Sequence, residues 1–207
     1  MNNIKILKIF LPFLILGCAS NVVEENKVIQ KINSLDMNVF SKKGDKIYSI
    51  TSPDSKFDKI KLVFNLKETT INIFNGEVID YIIDADSSRL LDKNKIVELK
   101  GNVKIRSFNQ NNDNLYGDNL TWHINESKYE LFGNVRFENR NVFLYTNKAI
   151  LRKDKVIEFF NPVKYVIKDD NNEEKYEITA ENAYYDIDKE SLSFRAKDKR
   201  VKSIIYF

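Results

Sequence analysis

One cysteine, one histidine and a few paired carboxylates are the residues of this chain with chemistry to offer, and their neighbours decide which chemistry it is. Cys18 ends the run Ile15-Leu-Gly-Cys18, behind a short basic start (Lys5, Lys8) and an apolar stretch from Ile9 to Leu16 broken by Pro12. That is the layout of a secretory signal with a lipobox, in which residues 1–17 are removed and the thiol of Cys18 carries the lipid. The alternative is a free cysteine behind an uncleaved anchor. The uncharged stretch from Ile9 to Val23 is fifteen residues, short of the roughly 20 that a spanning helix needs. A lone cysteine forms no internal disulfide, and an exported chain works outside the cytoplasm.

The remaining candidates read as structure. Asp84 with Asp86, or Asp169 with Asp170, have the residue types of a general acid/base pair. No positioned nucleophile, phosphate loop or metal-ligand cluster accompanies them, so turns or solvated loops are expected, with no enzyme activity and no cofactor. His123 alternates in parity with Trp122 and Ile124 and is expected on the surface; alone it makes no metal site. Lys104, Arg106, Arg136, Arg140 and Lys164 have the charge to meet phosphates, but Glu98, Glu130 and Glu138 balance them as a solvated face would. The formal charge of +3 falls to about +1 once Lys5 and Lys8 leave with the signal, which excludes a nucleic-acid binder resting on a broad basic footprint.

The elements that must position these residues come from a repeat. Gly101-Asn-Val-Lys-Ile105, Gly133-Asn-Val-Arg-Phe137 and Asn161-Pro-Val-Lys-Tyr165 recur about every 30 residues. Ser88, Leu120 and Ala149 precede them by 13, 13 and 12 positions, and Ala183 opens a shortened fourth copy. Every second residue is apolar or glycine in the first two copies, Val97, Leu99, Gly101, Val103, Ile105, then Tyr129, Leu131, Gly133, Val135, Phe137, and the third gives Ile157, Phe159, Val163, Tyr165. Alternation with period two predicts strands with one face on an apolar interior and one in water. Gly101 and Gly133 in mid-strand predict a bend, bulge or close backbone approach, and Asn161-Pro162 stands at the same place. Strand patterns begin near Ile47, Asn75-Gly76 reads as a hairpin turn, and no helix-spaced segment follows residue 46. Residues 18–45 read as a tether and 46–207 as one all-β domain, an open, twisted antiparallel roll.

With those motifs the chain resembles the periplasmic β-jelly-roll proteins of lipopolysaccharide export, the OstA-like group containing LptA and LptC. The matching pieces are Asp84-Ala-Asp-Ser-Ser88 with Gly101-Asn-Val103, and Tyr116-Gly-Asp-Asn-Leu120 with Gly133-Asn-Val135. An anchored single domain is closer to the LptC type, although that type is held by an uncleaved helix where Cys18 suggests a lipid. The resemblance implies a groove for acyl chains lined by Val103, Ile105, Leu120, Trp122, Leu131, Val135, Phe137, Leu151, Phe159, Val163 and Tyr165. It implies docking through end strands carrying Tyr48 and Ile50, and Ile204 and Tyr206. It also implies lipopolysaccharide or a related glycolipid as cargo, inner-membrane ABC transporter subunits and an LptA-like bridge as partners, and a place on the periplasmic face of the inner membrane. The residues alone leave a second reading open, an anchored β-repeat lipoprotein that scaffolds proteins without binding lipid.

Overall fold

In the computed structural model the chain is described over residues 29–91, 93, 95–107, 113–160, 162–196 and 200–206. The segment expected to be a signal, Cys18, Asn161 and Phe207 lie outside the described residues. Eight long strands follow one another as antiparallel neighbours: β1 (Ile29–Phe40), β2 (Lys46–Asp58), β3 (Val63–Asn75), β4 (Val78–Leu91), β5 (Ile96–Ser107), β6 (Asn114–His123), β7 (Lys128–Asn139) and β8 (Val142–Leu151). A single 3₁₀ turn, Ile124–Glu126, is the only helical element among the described residues.

Beyond β8 the sheet forks. β9 (Val156–Phe160) pairs with the C-terminal half of β8, and β10 (Val163–Lys168) pairs with its N-terminal half. β11 (Glu174–Ala180) continues the β10 branch; β12 (Asn182–Asp186) and β13 (Ser191–Arg195) continue the β9 branch; β14 (Lys202–Ile205) pairs with β11. The fork falls at Pro162, where a residue without an N–H cannot carry a ladder onward. The long strands are therefore shared by two arms, and the terminal strands belong to one arm each.

The glycines explain how one strand serves two arms. Between Lys100 and Val103, β5 places two residues opposite one of β6, and β7 does the same against β8 between Phe132 and Val135. These are bulges with glycine in the left-handed region, Gly101 at φ 77° and Gly133 at φ 75°. Asn102 and Asn134 follow with φ 46° and 45°. The neighbouring strand closes on each bulge: Asn102 Nδ2 donates to Asp86 Oδ2 at 2.9 Å, and Asn134 Nδ2 donates to Asp118 Oδ2 at 2.8 Å. A Cβ on Gly101 would stand 2.4 Å from the Asp86 carboxylate, and one on Gly133 would stand 2.5 Å from that of Asp118. Both the bulge and the close approach are present.

Inward side chains form cross-strand rows. In the β9 arm one row runs Leu66–Ser88–Leu99–Leu120–Leu131–Ala149–Phe159–Ala183–Phe194, so the four equivalent positions of the repeat share one register line. In the β10 arm a row runs Ile83–Ile105–Leu115–Phe137–Leu144–Tyr165–Ile178. The arms meet through rings: Tyr48 edge-on to Trp122 at 5.0 Å, and Phe137 against Phe159 at 5.8 Å and Tyr185 at 4.7 Å. Edge-to-face pairs of this kind add about 0.5–1.5 kcal/mol each beyond the area they bury. The fold is the all-β open antiparallel roll that the alternation predicts.

One expected boundary moves. The stretch read as a tether to residue 45 contains β1, twelve residues hydrogen-bonded along β2. Its Leu35, Met37 and Val39 rest on the core and Ile32 is half-buried, while the rest of the strand faces water. An edge strand has one neighbour and needs little apolar surface, so its sequence looks like a polar linker.

Candidate functional site

The interior expected to hold lipid is already full of side chains. Ten of the expected lining residues are 3% exposed or less: Val103, Ile105, Leu120, Trp122, Leu131, Val135, Phe137, Leu151, Phe159 and Val163. Nearly all the buried apolar residues of both arms join them in one continuous cluster. A small depression beside Tyr81, Ile105, Phe137 and Ile187 holds only about 20 Å³. Tyr165 differs, being half-buried and edge-on to Phe194 at 5.3 Å.

That ring pair joins the two branches of the sheet beyond the fork. On the β1 to β8 side the two arms share continuous backbone. Past the fork, β13 pairs only with β12, and β14 only with β11. What faces across this opening is side chain: Phe194 and Leu192 from β13, packed on the core, with Tyr165 of β10. Ring contacts part without breaking any ladder hydrogen bond, and each of those would cost more to lose unpaired when buried.

Among the described residues the free edges lie at β1, β13 and β14. Ile204 on β14 and Tyr206 just after it are exposed, at 49% and 43%. Tyr48 and Ile50 are not on an edge: they sit on β2, buried at 3% and 0%, because β1 covers that side of the sheet. The N-terminal docking candidate is therefore β1, with Tyr48 and Ile50 as core behind it.

The carboxylates expected to be structural are occupied. Asp84 accepts from Arg106 Nη2 at 2.6 Å and from Thr70 Oγ1 at 2.8 Å, and Asp86 holds the bulge Asn102. Asp169 accepts the backbone N–H groups of Asn171 and Glu173 at 3.0 Å each and shapes the β10–β11 turn. These contacts hold its carboxyl below the ordinary carboxylate range, the Glu173 amide foremost. His123 lies 3.8 Å from Glu130, whose pKa is lowered chiefly by its hydrogen bond with Lys128. Among the described residues no group of three or more His, Cys, Asp and Glu side chains could hold a metal ion. Arg140 is exposed in the β7–β8 turn, while Arg136 and Lys164 pair with Glu138 at 3.0 Å and Glu177 at 3.1 Å.

One polar site was not legible in the sequence. Asp113, 5% exposed, lies at the end of the roll and accepts from Asn139 Nδ2 at 2.5 Å and from the Tyr185 hydroxyl at 3.4 Å. Burial raises its pKa, and the two hydrogen bonds only partly offset that. Tyr185 is itself pushed up to about 12 by burial and by the Asp113 charge. The three residues are 26 and 46 positions apart in sequence, so no local pattern announces them.

Comparison with known families follows from this architecture. Residues 18–142 match the family described as lipopolysaccharide-assembly, LptC-related, which is more than half of the chain. The chain belongs to that LptC-related family. Residues 82–203 also match the LptA/(LptD N-terminal domain) lipopolysaccharide transport proteins, so the two matches overlap over residues 82–142. No curated protein matches the chain. The crystal structure of LptH from Pseudomonas aeruginosa, described as the LptA homologous periplasmic component of the conserved lipopolysaccharide transport device, aligns with a TM-score of 0.43 at 9% identity. That alignment covers 77% of this chain and 94% of LptH. Membership makes the LptC-related chain a non-enzymatic, periplasmic component of lipopolysaccharide transport. Among the described residues no helix is long and apolar enough to cross a membrane.

Proposed function

We propose that this LptC-related protein carries the acyl chains of lipopolysaccharide between its two arms and passes them to a β-jelly-roll neighbour docked on an open edge. The observation that carries the reading is the forked sheet: one uninterrupted apolar interior ends at a seam held by Tyr165, Leu192 and Phe194 instead of by backbone. Parting the seam would exchange protein–protein apolar contact for protein–acyl contact. The hydrophobic term of about 25 cal/mol per Å² is then largely conserved between empty and loaded states. Such near balance suits a carrier, which must release its cargo as readily as it takes it. Cys18 as a lipidated residue would hold the chain at a membrane, with ABC transporter subunits supplying cargo at one edge and an LptA-like roll receiving it at the other.

A photo-crosslinking amino acid at Tyr165 or Phe194 tests the reading. Lipopolysaccharide should be captured from either position, and not from the same label at Ile60, which is 77% exposed in the β2–β3 turn. Labels that reach only protein would favour the lipid-free scaffold instead.

A further inference from the structure

On the outer side of the sheet the line of bends runs beside a cleft of about 770 Å³, well within the size of small-molecule sites. Its lining combines the buried Val103, Val135, Thr146 and Val163 with outward residues of opposite parity, which supply its charge and its phenol rings. In register, Lys104 stands beside Tyr116, Tyr116 beside Arg136, Arg136 beside Tyr145, and Tyr145 beside Lys164. Cation and phenol thus alternate across five strands. At the ordinary strand spacing of about 4.8 Å, successive cations are about 10 Å apart.

Two of the rings are used differently. Tyr116 lies under both Lys104, at 5.3 Å, and Arg136, at 4.5 Å, which fixes the two cations over one ring. Lys104 rests against that ring, with its charge at the cleft wall. Tyr145, 37% exposed, presents the free aromatic surface. The floor offers the side chains of Asn102, Asn134 and Asn147, with Thr179 at one end. Asp118 is the one carboxylate in the lining, and it is engaged by Asn134. Glu138 and Glu177 pair with Arg136 and Lys164 from outside the cleft.

Spaced cations favour separated anionic groups, the amide row suits hydroxyls, and an exposed phenol ring stacks on the apolar face of a sugar. We infer that this outer cleft binds a phosphorylated saccharide, lying across the strands with phosphates near Lys104 and Arg136 and a sugar ring on Tyr145. The inference rests on the carrier reading only for the source of the saccharide, the headgroup of the same glycolipid whose acyl chains occupy the interior. Cargo would then be gripped on both sides of one sheet, tail within and headgroup without.

The probe is lipopolysaccharide stripped of all acyl chains, titrated into the full-length protein and followed by amide NMR shifts. Residues 102–104, 116–118, 134–136 and 145–147 should shift together. Lys104→Ala with Arg136→Ala should weaken binding at least about tenfold, as loss of charge-assisted hydrogen bonds does. Tyr145→Ala should weaken it too, Tyr145→Phe should not, and unchanged melting temperatures would show that each variant folds. Equal shifts from inorganic phosphate alone would overturn a saccharide site in favour of simple anion binding. If the stripped probe leaves these amides unmoved while Tyr165 still crosslinks intact lipopolysaccharide, the cleft inference fails and the carrier reading survives.

Discussion

At the scale of single residues, Gly133 combines a backbone requirement with a packing one. Its φ of 75° excludes most side chains, and the Asp118 carboxylate occupies the space a Cβ would need. Gly133→Ala should cost about 1–2 kcal/mol for the left-handed backbone alone, plus the displacement of Asp118. Adding Asp118→Ala should recover the displacement part and leave the backbone part, so chemical denaturation of the single and double variants should show clear non-additivity. Asp113 gives a pH signature. Its carboxyl is harder to ionise in the fold than in the unfolded chain, so the native state holds the proton more tightly and stability falls as pH rises through the raised pKa. Asp113→Asn removes that dependence. The variant's melting temperature relative to the parent should therefore be highest near neutral pH and should decline as the buffer is acidified through the raised pKa, where the native carboxyl takes up its proton.

At the scale of elements, the edge strands offer the backbone groups that a neighbour would use. Ile204 and Ile205 on β14 both face solvent, at 49% and 58% exposure, on a strand paired on one side only. Ile204→Lys with Ile205→Lys should change the stability of the isolated protein by no more than about 0.5 kcal/mol each. The same pair should abolish strand addition by a jelly-roll partner, which analytical ultracentrifugation of the mixed proteins would detect. Strands buried on both edges were readable because their alternation is strict: Leu120, Leu131 and Phe159 fall in the register row that the repeat implied. β1 escaped the reading because an edge needs only Leu35, Met37 and Val39 to hold it, in an otherwise polar run. With β1 unseen, Tyr48 and Ile50 looked like an edge, although their burial shows them to be core. The Asp113–Asn139–Tyr185 contact escaped for a different reason, since topology and not spacing brings those three together.

At the scale of the whole molecule, the roll packs as a globular core does, and carrying acyl chains between the arms would require that core to reopen. Phe159 tests whether the interior serves both states. It is fully buried, lies in the row of equivalent repeat positions and meets Phe137 across the arms. Phe159→Ala should destabilise the empty protein by about 3–5 kcal/mol, the transfer loss plus the cavity it leaves. A cavity between the arms is space that an acyl chain can enter without first displacing a ring. Saturating lipopolysaccharide should therefore raise the melting temperature of Phe159→Ala by more than it raises that of the parent, because a ligand stabilises the state it binds in proportion to its affinity. An equal rise in both proteins would place the cargo elsewhere than between the arms. A rise confined to the parent would mean that Phe159 itself forms the acyl contact, with packing against Phe137 as its resting position.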